Sequence, residues 1–135
     1  MKKILIIVIL ICITVGIISL NYILKDTYYL ANSIPKSYNT IQISINNISK
    51  EIIDEKNIEN IINILKANNR KTKIVSVNDY PYNADEIIKI SIKEKDNITT
   101  IYVYKSNNKY YIEPPYNGIY KISSEEYNSI YKYVI

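Results

Sequence analysis

The chain has no histidine, no tryptophan, no phenylalanine, one cysteine and two glycines among 135 residues. The missing histidine removes the imidazole general base, the Ser-His and Cys-His nucleophile pairs and every His-ligated metal site. A lone cysteine, Cys12, closes no internal disulfide and builds no thiolate cage. Without Phe or Trp, every aromatic ring belongs to one of 15 tyrosines, so each ring in the core brings a hydroxyl that needs a partner or a route to water. Isoleucine must fill most of the interior. There are 32, beside 17 Asn and 16 Lys, residues favoured by AT-rich codons, and this bias carries little information about function.

What the chain does have at its start is one long apolar run. Lys2 and Lys3 precede Ile4 to Leu20, interrupted only by Thr14, Gly16 and Ser19, and Tyr22, Ile23 and Leu24 extend the run to Lys25 and Asp26. As a helix rising about 1.5 Å per residue it reaches about 30 Å, the hydrocarbon thickness of a bilayer. A cleaved signal peptide has a shorter apolar region ending in a small-x-small site, and nothing between Val15 and Ser33 reads convincingly as one, which favours an uncleaved anchor. Cys12 follows Ile11 inside the run, flanks unlike those of a lipid-modified cysteine, and reads as a small side chain facing lipid.

The expected division is a transmembrane signal-anchor over 1–24, a linker over 25–36 around Ser33-Ile34-Pro35, and one extracytoplasmic domain over 37–135. Lys2 and Lys3 predict a cytoplasmic amino terminus and a single pass through the cell membrane. Removing them from 17 basic residues leaves 15 against 13 acidic, a net of +2 outside. The basic residues are scattered and gather into no stripe, so no nucleic acid is expected as a partner. Their one local cluster, Arg70, Lys71 and Lys73, reads as the solvated exit of a helix, or as a patch against anionic lipid or wall polymer.

Ile41, Ile43 and Ile45 alternate with Thr40, Gln42 and Ser44, which predicts a strand over Tyr38 to Ile45. Asn46-Asn47 turns the chain toward a second strand, Ile48 to Ile53. Asp54 is the expected N-cap of a helix whose Ile58, Ile61, Ile62 and Leu65 share one face. Strands follow at Thr72 to Val77, Ile88 to Lys93, Ile98 to Lys105, Tyr110 to Glu113 and Ile119 to Ile122. Ser123-Ser124-Glu125-Glu126 is a capping box opening a last helix with Tyr127, Ile130, Tyr131 and Val134 on its buried stripe. Short turns between consecutive strands imply an antiparallel sheet with two helices packed on it, an α+β domain preceded by one transmembrane helix.

Two loops carry what chemistry there is. Tyr110 to Tyr120 holds Pro114, Pro115 and Gly118, the only glycine outside the apolar run, so a turn with positive φ or a close backbone approach is expected there. Prolines stiffen it and tyrosines crowd it. Either it presents rigid aromatic rings to a partner or sugar, or it only shapes a corner between strands. The other loop holds Asp79, Asn83, Asp85 and Glu86, a superficially calcium-like spacing that lacks the glycine turn and distal glutamate of an EF-hand. No metal and no cofactor is expected, and Asp79 reads as capping its own turn. Asp79 and Glu113 would suit glycosidase-like chemistry only if folding brought them within about 5 to 10 Å.

Ser76-Val77-Asn78-Asp79-Tyr80-Pro81, together with the stretch Tyr111 to Tyr120, resembles a family of small, N-terminally anchored proteins of unknown function from AT-rich Gram-positive bacteria. The resemblance covers Ser37 to Tyr133. In that pattern Gln usually sits between Glu and Pro, where this chain has Pro114, so a side-chain amide is lost. The resemblance implies the layout and the anchor and marks Asp79, Pro81, Glu113, Pro115, Tyr116, Gly118 and Tyr120 as positions that define the fold or a binding site. It supplies no activity. The leading expectation is a non-enzymatic interaction module that binds a protein or a cell-wall polymer and has no catalytic residues. The alternative is a small hydrolase or wall-modifying enzyme using Asp79 and Glu113. A third reading, addition of a partner strand at an exposed sheet edge, depends on which strand forms that edge.

Overall fold

The alternating isoleucines form the centre of an antiparallel sheet in the computed structural model, which describes residues 2–135. The first element, α1 (Lys2–Leu24), is long and apolar enough to cross a membrane, with mean hydropathy 2.9 over its most apolar stretch, which is not buried against the rest of the chain. Then come β1 (Tyr28–Tyr29), a single 3-10 turn (Leu30–Ser33), β2 (Thr40–Ile45), β3 (Ile48–Ile52) and α2 (Glu55–Lys66). The chain continues through β4 (Lys71–Thr72), β5 (Glu86–Glu94), β6 (Asn97–Ser106), β7 (Lys109–Glu113), β8 (Tyr120–Ile122) and α3 (Ser124–Tyr131). Six strands make the main sheet in the order β3-β2-β5-β6-β7-β8, and β1 pairs with β4 apart from it. The domain is α+β, as the spacing of its apolar residues predicts.

Register places the core on one face. Ile41, Ile43 and Ile45 stand opposite Ile92, Ile90 and Ile88, and Ile90 and Ile88 stand opposite Ile101 and Val103. Ile58, Ile61, Ile62 and Leu65 of α2 join the same cluster, with Tyr127 and Ile130 of α3 and Val134 just beyond it. Each such side chain contributes about 1.5–3 kcal/mol relative to an exposed one. The helix starts form as expected. Asp54 accepts from the Asn57 amide at 2.9 Å, and Ser123 with Glu126 closes a capping box.

Glycine scarcity is met by asparagine. Positive φ occurs at Asn46, Asn68, Asn69, Asn83, Asn107 and Asn108, and besides these only at Lys95 and Tyr116 among the described residues. Asparagine tolerates the left-handed region because its short amide can bond locally. Asn107 and Asn108, both left-handed, make the two-residue turn between β6 and β7 that matches strand twist.

Three local expectations are corrected. Residues 25–36 are not a linker from Tyr28 onward: β1 pairs with β4, and Leu30 and Ile34 are apolar side chains buried in the same core cluster as the α2 isoleucines. The expected strand Thr72 to Val77 shrinks to Lys71–Thr72 plus one bridge at Val75 with Gly118. The ladder breaks because the Thr72 hydroxyl takes the Ile74 amide at 3.1 Å. Nor is Arg70 a solvated helix exit. Its side chain is 7 % exposed, donates to the Ile64 and Leu65 carbonyls at the end of α2, and pairs with Glu126 at 2.5 Å.

Candidate functional site

Because Ile101, Val103 and Ile112 point into the helix-covered core, Tyr102, Tyr104 and Glu113 point to the opposite face of the sheet. The chain between β4 and β5 runs over that face. Two backbone bonds start it: Ile119 N donates to Ile74 O at 2.9 Å and Ser76 N donates to Asn117 O at 2.8 Å. Ser76 Oγ then donates to Glu113 Oε1 at 2.5 Å, and Tyr104 Oη donates to Glu113 Oε2 at 2.7 Å. Farther on, the Tyr80 ring meets Tyr102 edge to face at 5.1 Å, and Pro81 is buried. Burial and the Glu113 carboxylate push the Tyr104 phenol far above its ordinary pKa. Glu113 is 3 % exposed, and both of its oxygens are engaged.

Pro114 to Asn117 forms the corner between β7 and β8. Asn117 N donates to Pro114 O at 3.2 Å, which places Pro115 at the second and Tyr116 at the third position of a β-turn. Proline fits the second position of a type II turn, and the third position of that turn demands positive φ. Tyr116 meets the demand with φ 56°, a backbone cost of about 1–3 kcal/mol for a side chain of its kind. The positive φ expected at Gly118 therefore falls on Tyr116.

Gly118 is needed for close approach. A Cβ there would stand 2.3 Å from Thr72 Cγ2 and 2.8 Å from the Tyr120 ring. Asn117 completes the corner, its Oδ1 accepting from Gly118 N at 2.7 Å and from Tyr120 Oη at 2.6 Å. Burial pushes the Tyr120 phenol up to about 12.

The predicted site residues thus divide. Glu113, Pro81, Gly118 and Tyr120 lie inside, and Pro115 is half-buried. Tyr116 is 63 % exposed, and the carboxylate of Asp79, also exposed, pushes the Tyr116 phenol up. Val77, Tyr80 and Tyr82 on the same loop are exposed as well. The arrangement offers tyrosine edges and faces beside a carboxylate, suited to stacking against a ring or apolar side chain while Asp79 accepts a hydrogen bond.

The other acidic residues of the loop are drawn elsewhere. Asp85 accepts from Asn107 N at 3.2 Å, and Glu86 accepts from the Tyr127 hydroxyl. Among the described residues, no three of His, Cys, Asp and Glu stand together as a metal cage.

The sequence does not single out Ser76, Tyr104 or Asn117 as working residues. Ser76 lies within the Ser76-to-Pro81 stretch, but its partner is 37 positions away, a pairing no local pattern announces.

Comparison with known proteins gives a family and a fold. The model of DUF5301, described as "Domain of unknown function (DUF5300)", matches residues 28–121. The solved chain titled "NMR structure of the protein from Ruminococcus gnavus" is 35% identical, with TM-score 0.58, covering 69% of this chain and 95% of that one. No curated protein matches.

Proposed function

We propose that this chain, which belongs to the DUF5301 family, is a non-enzymatic interaction module held at the outer membrane surface and binding a protein or cell-wall polymer. Its contact surface is the corner at Tyr116 with Asp79, Tyr80 and Tyr82. One observation carries this reading: an exposed aromatic side chain sits at a backbone position that favours glycine. Strain of this kind persists where the surrounding structure over-determines it, and it concentrates at sites of recognition. Two prolines before Tyr116 reduce the entropy lost when the ring is held by a partner.

The anchor reading rests on α1, whose apolar side chains face outward along its length. Lys2 and Lys3 favour a cytoplasmic amino terminus, which leaves the domain outside. Lys73 donates to the Tyr22 and Ile23 carbonyls at the last turn of α1, a cation at the negative end of a helix, and holds the domain near the membrane boundary. Against a hydrolase using Asp79 and Glu113, the engagement of both Glu113 oxygens favours a role in fastening the loop.

Photocrosslinking in intact cells tests the reading, with a reactive amino acid at Tyr116 and a second at Lys66 on α2 as control. A discrete protein or polymer adduct from Tyr116 alone is the expected result. No adduct from a folded Tyr116 variant would return the corner to a purely structural role.

A further inference from the structure

Beyond the tyrosine corner, the main sheet ends at β8, and β8 has an unfinished edge. Segment 74–76 begins an antiparallel ladder with 117–119 and then leaves it, since the Ile74 amide turns to the Thr72 hydroxyl. From there β4 diverges toward β1, its neighbour on the far side. The gap between β4 and β8 is an open groove of about 880 Å³. Backbone direction along β8 follows from the one bond that marks it. The Ile119 amide points away from β7, so by alternation the amide and carbonyl of Lys121 also point outward, into the groove.

Side chains around this edge are unevenly charged. Arg70, Lys71, Lys109 and Lys121 line the groove against one anion, Glu126, which is already paired with Arg70 at 2.5 Å. Lys71, Lys109 and Lys121 form no ion pair among the described residues. By register, Lys121 lies opposite Tyr111, and Lys109 shares its sheet face, so two cations stand side by side on one face of the edge.

We propose that the open edge of β8 accepts an added strand, an extended peptide segment of a partner protein with Asp or Glu at alternate positions. Main-chain bonds to Lys121 supply the pairing, and alternate acidic side chains meet Lys109 and Lys121 on one face. The same lysines oppose edge-to-edge pairing between copies of this chain, as edge lysines generally do. The far edge of the sheet is different: β3 carries both Lys50 and Glu51, and Lys50 reaches the Ile135 carbonyl. This inference stands on residues other than the Tyr116 corner, and a failed crosslink there leaves it intact.

The test uses the full chain in lipid nanodiscs, titrated with a short synthetic peptide of alternating Glu and Val and with a counterpart of alternating Lys and Val. The Glu peptide is expected to bind, to slow hydrogen exchange at the Lys121 amide, and to leave the β3 amides unchanged. Proline is tolerated at an edge position whose amide faces out, so Lys121→Pro should fold and bind about tenfold more weakly than Lys121→Ala, which keeps the amide. Lys109→Glu combined with Lys121→Glu should turn the preference toward the Lys peptide, a readout that stands even if the proline variant fails to fold. Equal binding of both peptides, no binding, or concentration-dependent pairing of the chain with itself through β8 would overturn the proposal.

Discussion

Ser76 and Glu113, 37 positions apart, are joined by a 2.5 Å hydrogen bond on the face of the sheet away from the helices. The Ser76 hydroxyl has one proton, and its longer 3.4 Å contact with the Asn78 carbonyl marks an alternative acceptor. In Glu113→Gln the new amide can donate to Ser76, whose proton turns to Asn78, while the remaining oxygen still accepts from Tyr104. That change should cost less than about 1 kcal/mol. Ser76→Ala leaves a buried carboxylate oxygen without its donor and should cost about 1–3 kcal/mol. Denaturant unfolding of both variants measures the difference, and equal losses would show that the two bonds do not fasten the loop as described. Retained partner binding in Glu113→Gln is the result expected of an interaction module, whereas an enzyme using this carboxylate would lose its function.

Tyr116→Gly relieves the left-handed backbone and removes an exposed ring. The variant should be more stable by about 1 kcal/mol, raising the thermal midpoint by about 4–8 °C, while partner binding is lost. A lower midpoint would mean that the ring supports the fold and that the corner is structural.

Gly118→Ala should act in the opposite sense. Its Cβ would drive into the Thr72 and Tyr120 side chains at once, at a cost of about 1–3 kcal/mol. Hydrogen exchange locates the damage: protection should fall first at Ile119 and Ser76, whose amides make the bonds beside the bridge.

Alkaline pH should unfold the domain early. The phenols of Tyr104, Tyr120 and Tyr127 are raised by burial, the first and third further by the Glu113 and Glu86 carboxylates, and Tyr120 reaches about 12. Their folded pKa values lie above the unfolded 10.0, so the native state holds its protons more tightly. Stability is then fully present below pH 10 and falls as pH rises through the folded values. Thermal midpoints across this range, with tyrosinate absorbance recorded in parallel, check the sign. A midpoint flat to pH 12 would contradict it.

Elements governed by near neighbours are legible in the sequence. Ile41, Ile43 and Ile45 announce a strand because side chains alternate at period two. Ile58, Ile61, Ile62 and Leu65 announce a helix because four positions recur on one face. Ser123 and Glu126 announce where α3 begins, since a cap is completed within three residues. The apolar run of α1 is read the same way, from length and composition alone.

What needed tertiary structure is every relation that spans the chain. Nothing local distinguishes the buried Tyr120 from the exposed Tyr116, or sends Arg70 across 56 positions to Glu126. The sequence offers Glu113 as a binding position or as half of a carboxylate pair with Asp79, and only the crossing of residues 73–85 over the sheet buries it under Ser76. Edge identity also belongs to this class, because which strand is left unpaired depends on where all the others have gone. Backbone and side-chain periodicity are short-range properties written into consecutive residues. Burial, long-range hydrogen bonding and open edges arise from packing distant segments together, and that packing decides which surface is left to meet a partner.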